Sequence, residues 1–186
     1  MKYTILWITF FSCFFTFGQI ATANREKGKL NQKKNEFVFV EIPDKENWKI
    51  TFEGVENNQH IILVVNKQDT IQKPAESLAL ISNIGLKNID LIQAMNETYQ
   101  TAKEQSKAAE LSFIENDLNI KEPWIMYLIQ NIDNEECNCT VAQVWFLIQG
   151  ENCLHSCFLS VRNDALTPEK KEEMIKIFKT AKIVYQ

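Results

Sequence analysis

The sequence predicts an α+β fold in which an antiparallel sheet, arranged as a meander, packs against a long central helix and a C-terminal helix. Two observations lead to this fold class. Short segments rich in β-branched and aromatic residues fill most of residues 37–161, and the later ones are separated by gaps too short for a crossover helix. Residues 89–106 and the segment after Thr167 instead have the apolar spacing of amphipathic helices.

Four strands are predicted before the first helix, at residues 37–42, 48–52, 61–65 and 78–82. The first is β-branched and aromatic, and the second alternates between apolar and charged or polar side chains, as a half-buried strand does. The third is apolar on both faces, which indicates an interior position in the sheet. A turn at Asn57-Asn58 is expected to separate the second strand from the third.

The central helix is predicted over residues 89–106, after a break at Gly85. Asn88 is expected to cap its first turn, and Asp90 lies near the positive end of the helix dipole. The stripe expected to pack on the sheet consists of Ile89, Ile92, Met95, Tyr99 and Ala102.

The second half of the chain is predicted to be a meander followed by a helix. The strands are expected at residues 110–114, 124–132, 140–149 and 154–161. Thr167-Pro168-Glu169 combines a capping hydroxyl, a proline at the first helical position and an acid in the first turn, which predicts a helix start. The buried face of this helix is expected to contain Met174, Ile175, Ile177, Phe178 and Ala181.

Residues 1–23 have the pattern of a signal peptide, with Lys2, an apolar run of roughly fifteen residues and Ala21-Thr22-Ala23 before a cleavage site. Cleavage is predicted before Asn24 or, alternatively, before Gln19. The run is shorter than a membrane span, and Cys13 lacks the preceding residues of a lipoprotein signal, so neither an anchor nor lipidation is predicted. Residues 24–36 are then a polar linker and residues 37–186 a single domain, exported to the periplasm or the extracellular space.

Composition and charge exclude several classes of function. The net charge is −4, and no predicted strand or helix carries a cluster of Lys and Arg, which argues against binding of nucleic acid or of an anionic membrane. The five glycines form no phosphate-binding loop, and the two histidines, His60 and His155, accompany no Gly-x-Ser-x-Gly motif. The sequence therefore predicts no catalytic group, cofactor or metal.

Four cysteines follow the signal segment, and an even number in an exported protein favours disulfides. The candidates are Cys137, Cys139, Cys153 and Cys157. A turn at Gly150-Glu151 places Val144 opposite Cys157 and Cys139 opposite Arg162, which separates the two pairs. Each pair could close locally, and a different register would allow cross-pairing. Metal binding at Cys153-Leu-His155-Ser-Cys157 is less favoured, because ligands along one strand do not surround an ion. Redox chemistry is also less favoured, because neither cysteine pair is predicted beside a helix N-terminus.

The order of the predicted strands and helices resembles the Mog1/PsbP-like fold, which includes small exported bacterial proteins. The similarity covers most of the chain after the signal segment and rests on the segments "FVFVEIPDKENWKITF", "NIDLIQAMNETYQ", "WIMYLIQ" ahead of "AQVWFLIQ", and "TPEKKEEMIKIFKTAKIV". The resemblance implies a protein that binds other proteins or small ligands rather than a catalyst. It transfers no site residue, because these proteins share no common site.

The expected function is therefore that of an exported non-enzymatic binding protein that recognises a protein partner in the cell envelope, such as an immunity-type protective factor. An acidic domain is suited to a basic partner, because complementary charge accelerates association. Two alternatives stay open. One is a carrier of a small ligand or lipid, and the other is a thiol- or metal-dependent enzyme that uses the cysteine cluster.

Overall fold

The computed structural model describes residues 36–43, 45–67, 75–135 and 137–185. Within these ranges the chain forms nine strands and two α-helices. In chain order they are β1 (Glu36–Phe39), β2 (Trp48–Glu56), β3 (Gln59–Asn66), β4 (Glu76–Ile84), α1 (Leu91–Gln105), β5 (Glu110–Asp117), β6 (Trp124–Asn134), β7 (Cys139–Gln149), β8 (Cys153–Arg162), α2 (Pro168–Lys179) and β9 (Lys182–Tyr185). The predicted signal peptide lies outside the described residues. So does the predicted linker, except for Glu36, which is the first residue of β1.

Seven strands form one antiparallel sheet in the order β2-β3-β4-β8-β7-β6-β5. Strands β5 to β8 pair with their neighbours along the chain, so the predicted meander is confirmed there. Strands β2 to β4 form a second set of hairpins, and Asn57 and Asn58 adopt the positive φ angles of 50° and 65° in the tight turn between β2 and β3. The two sets join through β4 and β8, which places β8 at the centre of the sheet.

One face of the sheet is covered by α2 together with a two-stranded ribbon of β1 and β9. Strand β9 was not among the predicted strands. Val38 from β1, Ile183 from β9 and Phe178 from α2 belong to one apolar cluster with side chains of β4, β6, β7 and β8. We call this side the α2 face. It contains this apolar cluster.

The opposite side, which we call the α1 face, carries a row of aromatic side chains on three adjacent strands. Trp145 of β7 lies between Tyr127 of β6 and Phe158 of β8, with ring centroids 6.2 and 4.6 Å away. These residues alternate along their strands with members of the α2-face cluster, as the pleat of a strand requires. Helix α1 packs on β6 at this face.

Helix α1 is shorter than predicted, with 15 residues, and the predicted cap at Asn88 is wrong. Asp90 is the N-cap, and its Oδ1 accepts hydrogen bonds from the backbone N–H groups of Ile92 and Gln93 at 2.9 and 3.1 Å. The buried stripe also differs, since Ile92 is exposed and the helix buries Leu91, Ala94, Met95, Thr98 and Ala102. Small side chains at every fourth position let the helix lie close to the sheet, and hydrophobicity alone does not reveal such a stripe.

Helix α2 begins as predicted, because Thr167 is its N-cap and Pro168 its first residue. The Oγ1 atom of Thr167 accepts a hydrogen bond from the backbone N–H of Lys170 at 3.2 Å. Met174, Ile177 and Phe178 are buried as expected, whereas Ile175 and Ala181 are only half-buried against the same cluster. Among the described residues, neither helix has the length and apolar character needed to cross a membrane.

The predicted register of the β7–β8 hairpin is wrong by two residues. Cys157 lies opposite Phe146 rather than Val144, and Arg162 lies opposite Val141 rather than Cys139. The reason is the turn, in which the backbone N–H of Gly150 donates to the carbonyl oxygen of Cys153 at 2.9 Å, so four residues connect Gln149 to Leu154. Because the error is an even number, each side chain of β8 stays on its predicted face.

Candidate functional site

The four candidate disulfide cysteines have two different states. Cys137 and Cys139 form a disulfide in the turn before β7, with Cα atoms 5.2 Å apart. Cys153 and Cys157 are buried free thiols on β8. The structure therefore contains the local Cys137–Cys139 bond, one of the alternatives left open by the sequence. It contains neither a Cys153–Cys157 bond nor cross-pairing between the two groups.

Strand β8 is buried along both faces because it is the central strand of the sheet. Each residue from Cys153 to Val161 is buried. The side chains of Cys153, His155 and Cys157 share the α2 face, since they are separated by two residues. Their strand alone would spread three ligands along a line, so a compact site needs a residue from another strand.

Glu36 of β1 is that residue. Its carboxylate, the thiol of Cys153 and a ring nitrogen of His155 all lie within 4.8 Å of one another, and the three residues are 4, 3 and 0 % exposed. We call these three residues the Glu–Cys–His cluster. They provide oxygen, sulfur and nitrogen atoms of the kinds that bind transition metals. The sequence does not reveal the cluster, because Glu36 belongs to the predicted linker.

Asn152 holds the Glu36 carboxylate in place. Its backbone N–H donates to Oε2 at 3.1 Å, and its side-chain Nδ2 donates to Oε1 at 2.8 Å. A side chain at position 150 would prevent this arrangement, because a Cβ atom on Gly150 would overlap the carboxylate. The turn between β7 and β8 therefore binds the Glu36 carboxylate through Asn152 and leaves space for it at Gly150.

Gln149 fixes that turn from the other side. Its Nε2 donates to the carbonyl oxygens of Cys153 at 3.0 Å and Leu86 at 3.1 Å, and its Oε1 accepts from the backbone N–H of Ile89 at 3.2 Å. The side chain is only 6 % exposed, so these bonds satisfy an otherwise costly buried amide. They connect the turn to the segment that leads into α1.

His155 has one bonded and one unbonded ring nitrogen. Its Nδ1 lies 2.8 Å from the hydroxyl oxygen of Ser82, the residue opposite it on β4. Its Nε2 is buried and has no hydrogen-bond partner. Burial lowers the pKa of His155 to about 4, so the imidazole is neutral at pH 7.

Neither free thiol has the properties of a catalytic nucleophile. Burial, with a further contribution from the charge of Glu36, raises the pKa of Cys153 to about 11. Burial raises the pKa of Cys157 to about 12. Since the thiolate is the reactive form, both residues are unreactive at neutral pH in the absence of a metal.

The second histidine does not join this cluster. His60 of β3 packs edge-on against the Phe37 ring with centroids 5.2 Å apart, and its Nε2 is 3.6 Å from a carboxylate oxygen of Glu53.

Comparisons with known proteins add no homologous site, because no protein-family model matches the chain and no curated protein matches its sequence. The Mog1/PsbP-like resemblance therefore stays a prediction.

Acidification is expected to destabilise the protein through His155, by about 3 kcal/mol between pH 6.5 and pH 4. The folded state keeps the imidazole neutral down to a pKa of about 4, whereas the unfolded chain protonates near the ordinary value. The unfolded state therefore binds more protons in this range, and the free energy of unfolding falls as the pH falls. Urea unfolding at several pH values, with a chelator present, measures the slope.

The control is His155→Phe, which removes the titrating group. Carboxylates also titrate in this range, so the difference in slope between the two proteins isolates the histidine. Equal slopes would show that His155 does not titrate differently in the folded and unfolded states.

Proposed function

We propose that this protein is an exported, non-enzymatic binding protein that recognises a protein partner in the cell envelope. The observation that carries the proposal is a contrast in exposure. The groups that could perform chemistry, in the Glu–Cys–His cluster, are at most 4 % exposed, whereas apolar side chains at an edge of the sheet are open to solvent. Export is supported by the signal-like segment 1–23, and the Cys137–Cys139 disulfide is compatible with an oxidising compartment.

The burial of the cluster argues against catalysis. A substrate must come within about 3 Å of a nucleophile or general base for reaction. Cys153 and His155 lie on the central strand, beneath the ribbon of β1 and β9, and are 3 and 0 % exposed. Their protonation states, a neutral thiol and a neutral imidazole, also lack the ion pair of a thiol enzyme.

We place the partner surface on the edge strand β5, because its exposed side chains include an aromatic residue, whereas the exposed large hydrophobics of the other edge strand, β2, are the aliphatic Ile50 and Val55. No described strand pairs with its outer side, so its backbone groups are available for an added strand. Phe113, in the middle of β5, is 55 % exposed, and the loop that follows carries Leu118 and Ile120 at 39 and 47 %. Exposed aromatic side chains are frequent binding hot spots.

The charge of this strand indicates the chemistry of the partner. Strand β5 contains Glu110, Glu115 and Asp117 and no Lys or Arg. Glu115 is ion-paired with Lys179 of α2 at 2.8 Å. Glu110 and Asp117, at the two ends of the strand, provide the remaining acidic charge, which favours a partner segment with basic residues on both sides of an apolar one. Complementary charge would steer association and fix the register of an added strand.

Replacing Phe113 with serine is expected to weaken partner binding at least about tenfold, because a hot-spot aromatic contributes more than 1.4 kcal/mol. Immobilised protein is used to capture binders from an envelope extract, and the affinity of the captured protein is then measured for each variant. The matched control is Val55→Ser, since Val55 is 69 % exposed on β2, the opposite edge strand.

Three results would contradict the proposal. Equal binding by Phe113→Ser and wild type would exclude β5 as the partner surface. A lipid or metabolite that copurifies with the protein, with no captured protein, would favour the carrier alternative. Turnover of a substrate that depends on Cys153 would favour the enzyme alternative.

A further inference from the structure

We propose that Glu36, Cys153 and His155 bind a divalent transition-metal ion of the zinc class, at a buried site that joins β1 to the central strand β8. This inference is independent of the proposed function, because a structural metal and a partner surface on β5 use different residues. It assigns a role to the most unusual feature of the core, which is an acid, a thiol and an imidazole buried together.

The separation of the three ligand atoms is close to that of a metal site. They lie within 4.8 Å of one another. In a tetrahedral zinc site with bonds of 2.0–2.3 Å, ligand atoms are separated by roughly 3.3–3.7 Å. A shift of about 1 Å would therefore bring the three atoms to bonding distance. The ligands come from strands that are distant in sequence, so the fold rather than a local motif brings them together.

The unpaired nitrogen of His155 points to a missing partner. A buried polar atom without a hydrogen bond destabilises a protein, and the Nε2 atom of the fully buried His155 is such an atom. Ser82 occupies the Nδ1 side at 2.8 Å. With Nδ1–H donating to the serine oxygen, Nε2 presents its lone pair, which is the usual arrangement of a metal-bound histidine and its supporting oxygen.

The carboxylate has the same kind of support. Asn152 donates to both oxygens of Glu36, which orients the carboxylate and leaves further lone pairs free. None of the ion pairs found among the described residues involves Glu36, although the residue is only 4 % exposed. Buried carboxylates are normally paired with a cation or bound to a metal. A dication bound to one carboxylate, one thiolate and a neutral imidazole gives a site with no net charge.

The donor set selects the metal. Calcium and magnesium prefer oxygen ligands only, and copper(I) prefers sulfur and nitrogen without a carboxylate. One oxygen, one nitrogen and one sulfur suit Zn²⁺, which accepts all three in tetrahedral sites. Three protein ligands leave the fourth position for a water molecule. Metal binding replaces the thiol proton with the metal–sulfur bond, so one proton is released to solvent for each ion bound.

The first experiment measures stoichiometry and the identity of the ligand atoms. Purified protein is treated with a chelator, then unfolded and refolded with Zn²⁺ or Co²⁺, and the bound metal is counted after gel filtration. We expect one ion per chain and a higher thermal midpoint with metal than without. The Co²⁺ form should show thiolate-to-cobalt charge-transfer absorption, because Cys153 is a ligand. Absence of bound metal would overturn the proposal.

A matched pair of cysteine variants locates the ion. Cys153→Ala should abolish the charge-transfer band and weaken binding at least about 100-fold. Cys157→Ala should keep both, although Cys157 is also a buried free thiol on the same strand and face. Equal loss in the two variants, or metal that persists in Cys153→Ala, would place the ion elsewhere and refute the site.

Two further variants, which leave all three ligand residues in place, test the site if Cys153→Ala does not fold. Ser82→Ala removes the support of the His155 ring and should weaken Zn²⁺ binding roughly 10- to 100-fold while the thiolate band remains. Gly150→Ala changes no ligand but displaces the Glu36 carboxylate through overlap with the new Cβ, and should also weaken binding roughly tenfold. Wild-type affinity in both variants would overturn the proposal. If metal-free protein still binds the β5 partner, then partner binding does not depend on metal binding, and either proposal can be refuted without the other.

Discussion

Replacement of Trp145 by alanine is expected to lower the free energy of unfolding by about 3–5 kcal/mol. Trp145 is 8 % exposed and lies between two aromatic neighbours, with its ring centroid 4.6 Å from that of Phe158 and 6.2 Å from that of Tyr127. Its Nε1–H donates to Oε1 of Gln143 at 3.0 Å. Alanine would remove the centre of this aromatic row and leave a cavity between three central strands, which the rigid sheet cannot close.

Urea unfolding of the two proteins measures this effect. Val55→Ala is the control, because Val55 is 69 % exposed and its truncation should change the free energy of unfolding by less than about 0.5 kcal/mol. With a chelator present, so that no bound metal contributes to stability, the double variant Cys153→Ser, Cys157→Ser breaks no disulfide and should cost less than Trp145→Ala, at about 1–3 kcal/mol. A loss below about 1 kcal/mol for Trp145→Ala would mean that neighbouring side chains refill the space.

Most strands were predictable from sequence because their patterns are local. The alternation of apolar and polar residues in the segment that starts at Trp48, and the short turns of the later meander, follow from the two-residue period of a strand. The start of α2 at Thr167-Pro168 was predictable because a capping hydroxyl and a proline satisfy fixed requirements of the first helical turn. These features need no information about distant parts of the chain.

The errors arose where packing outweighs local pattern. Strand β9, which spans Lys182–Tyr185, has only four residues, and it is a strand because β1 pairs with it from Glu36↔Tyr185 to Phe39↔Lys182. The stripe of α1 contains Ala94, Thr98 and Ala102, whose small size matters only against the sheet. The β7–β8 register depends on a hydrogen bond from Gly150 to Cys153, which hydrophobic spacing does not encode.

The Glu–Cys–His cluster was only half predictable. Cys153 and His155 share a face by strand periodicity alone, as the sequence predicts. Glu36 joins them because β1 crosses the sheet near the β7–β8 turn, and Asn152, 116 residues away, binds its carboxylate. One feature of the sequence could have indicated the buried carboxylate. Glu36 directly precedes the apolar segment Phe37-Val38-Phe39, and an acid next to residues that pack into the core is itself buried.

Phe178→Ala should have an effect as large as Trp145→Ala, about 3–5 kcal/mol, on the opposite face of the sheet. Phe178 is 1 % exposed, and its ring stacks on Phe146 of β7 at 5.7 Å with an interplanar angle of 7°. It is the largest buried side chain of α2, so its loss removes the main contact that holds this helix on the sheet.

The consequence of this change should extend beyond the helix to β1. The backbone N–H of Glu41 donates to the side-chain oxygen of Thr180, at the end of α2, at 2.8 Å, and β9 follows directly and pairs with β1. Amide hydrogen exchange of Phe178→Ala should therefore become faster in β1 and β9 as well as in α2, and this acceleration should exceed that of the central strands around Trp145. Phe178→Leu, which fills most of the volume, should restore at least half of the lost stability. Faster exchange in α2 alone would show that the ribbon of β1 and β9 is held to the sheet independently of the helix.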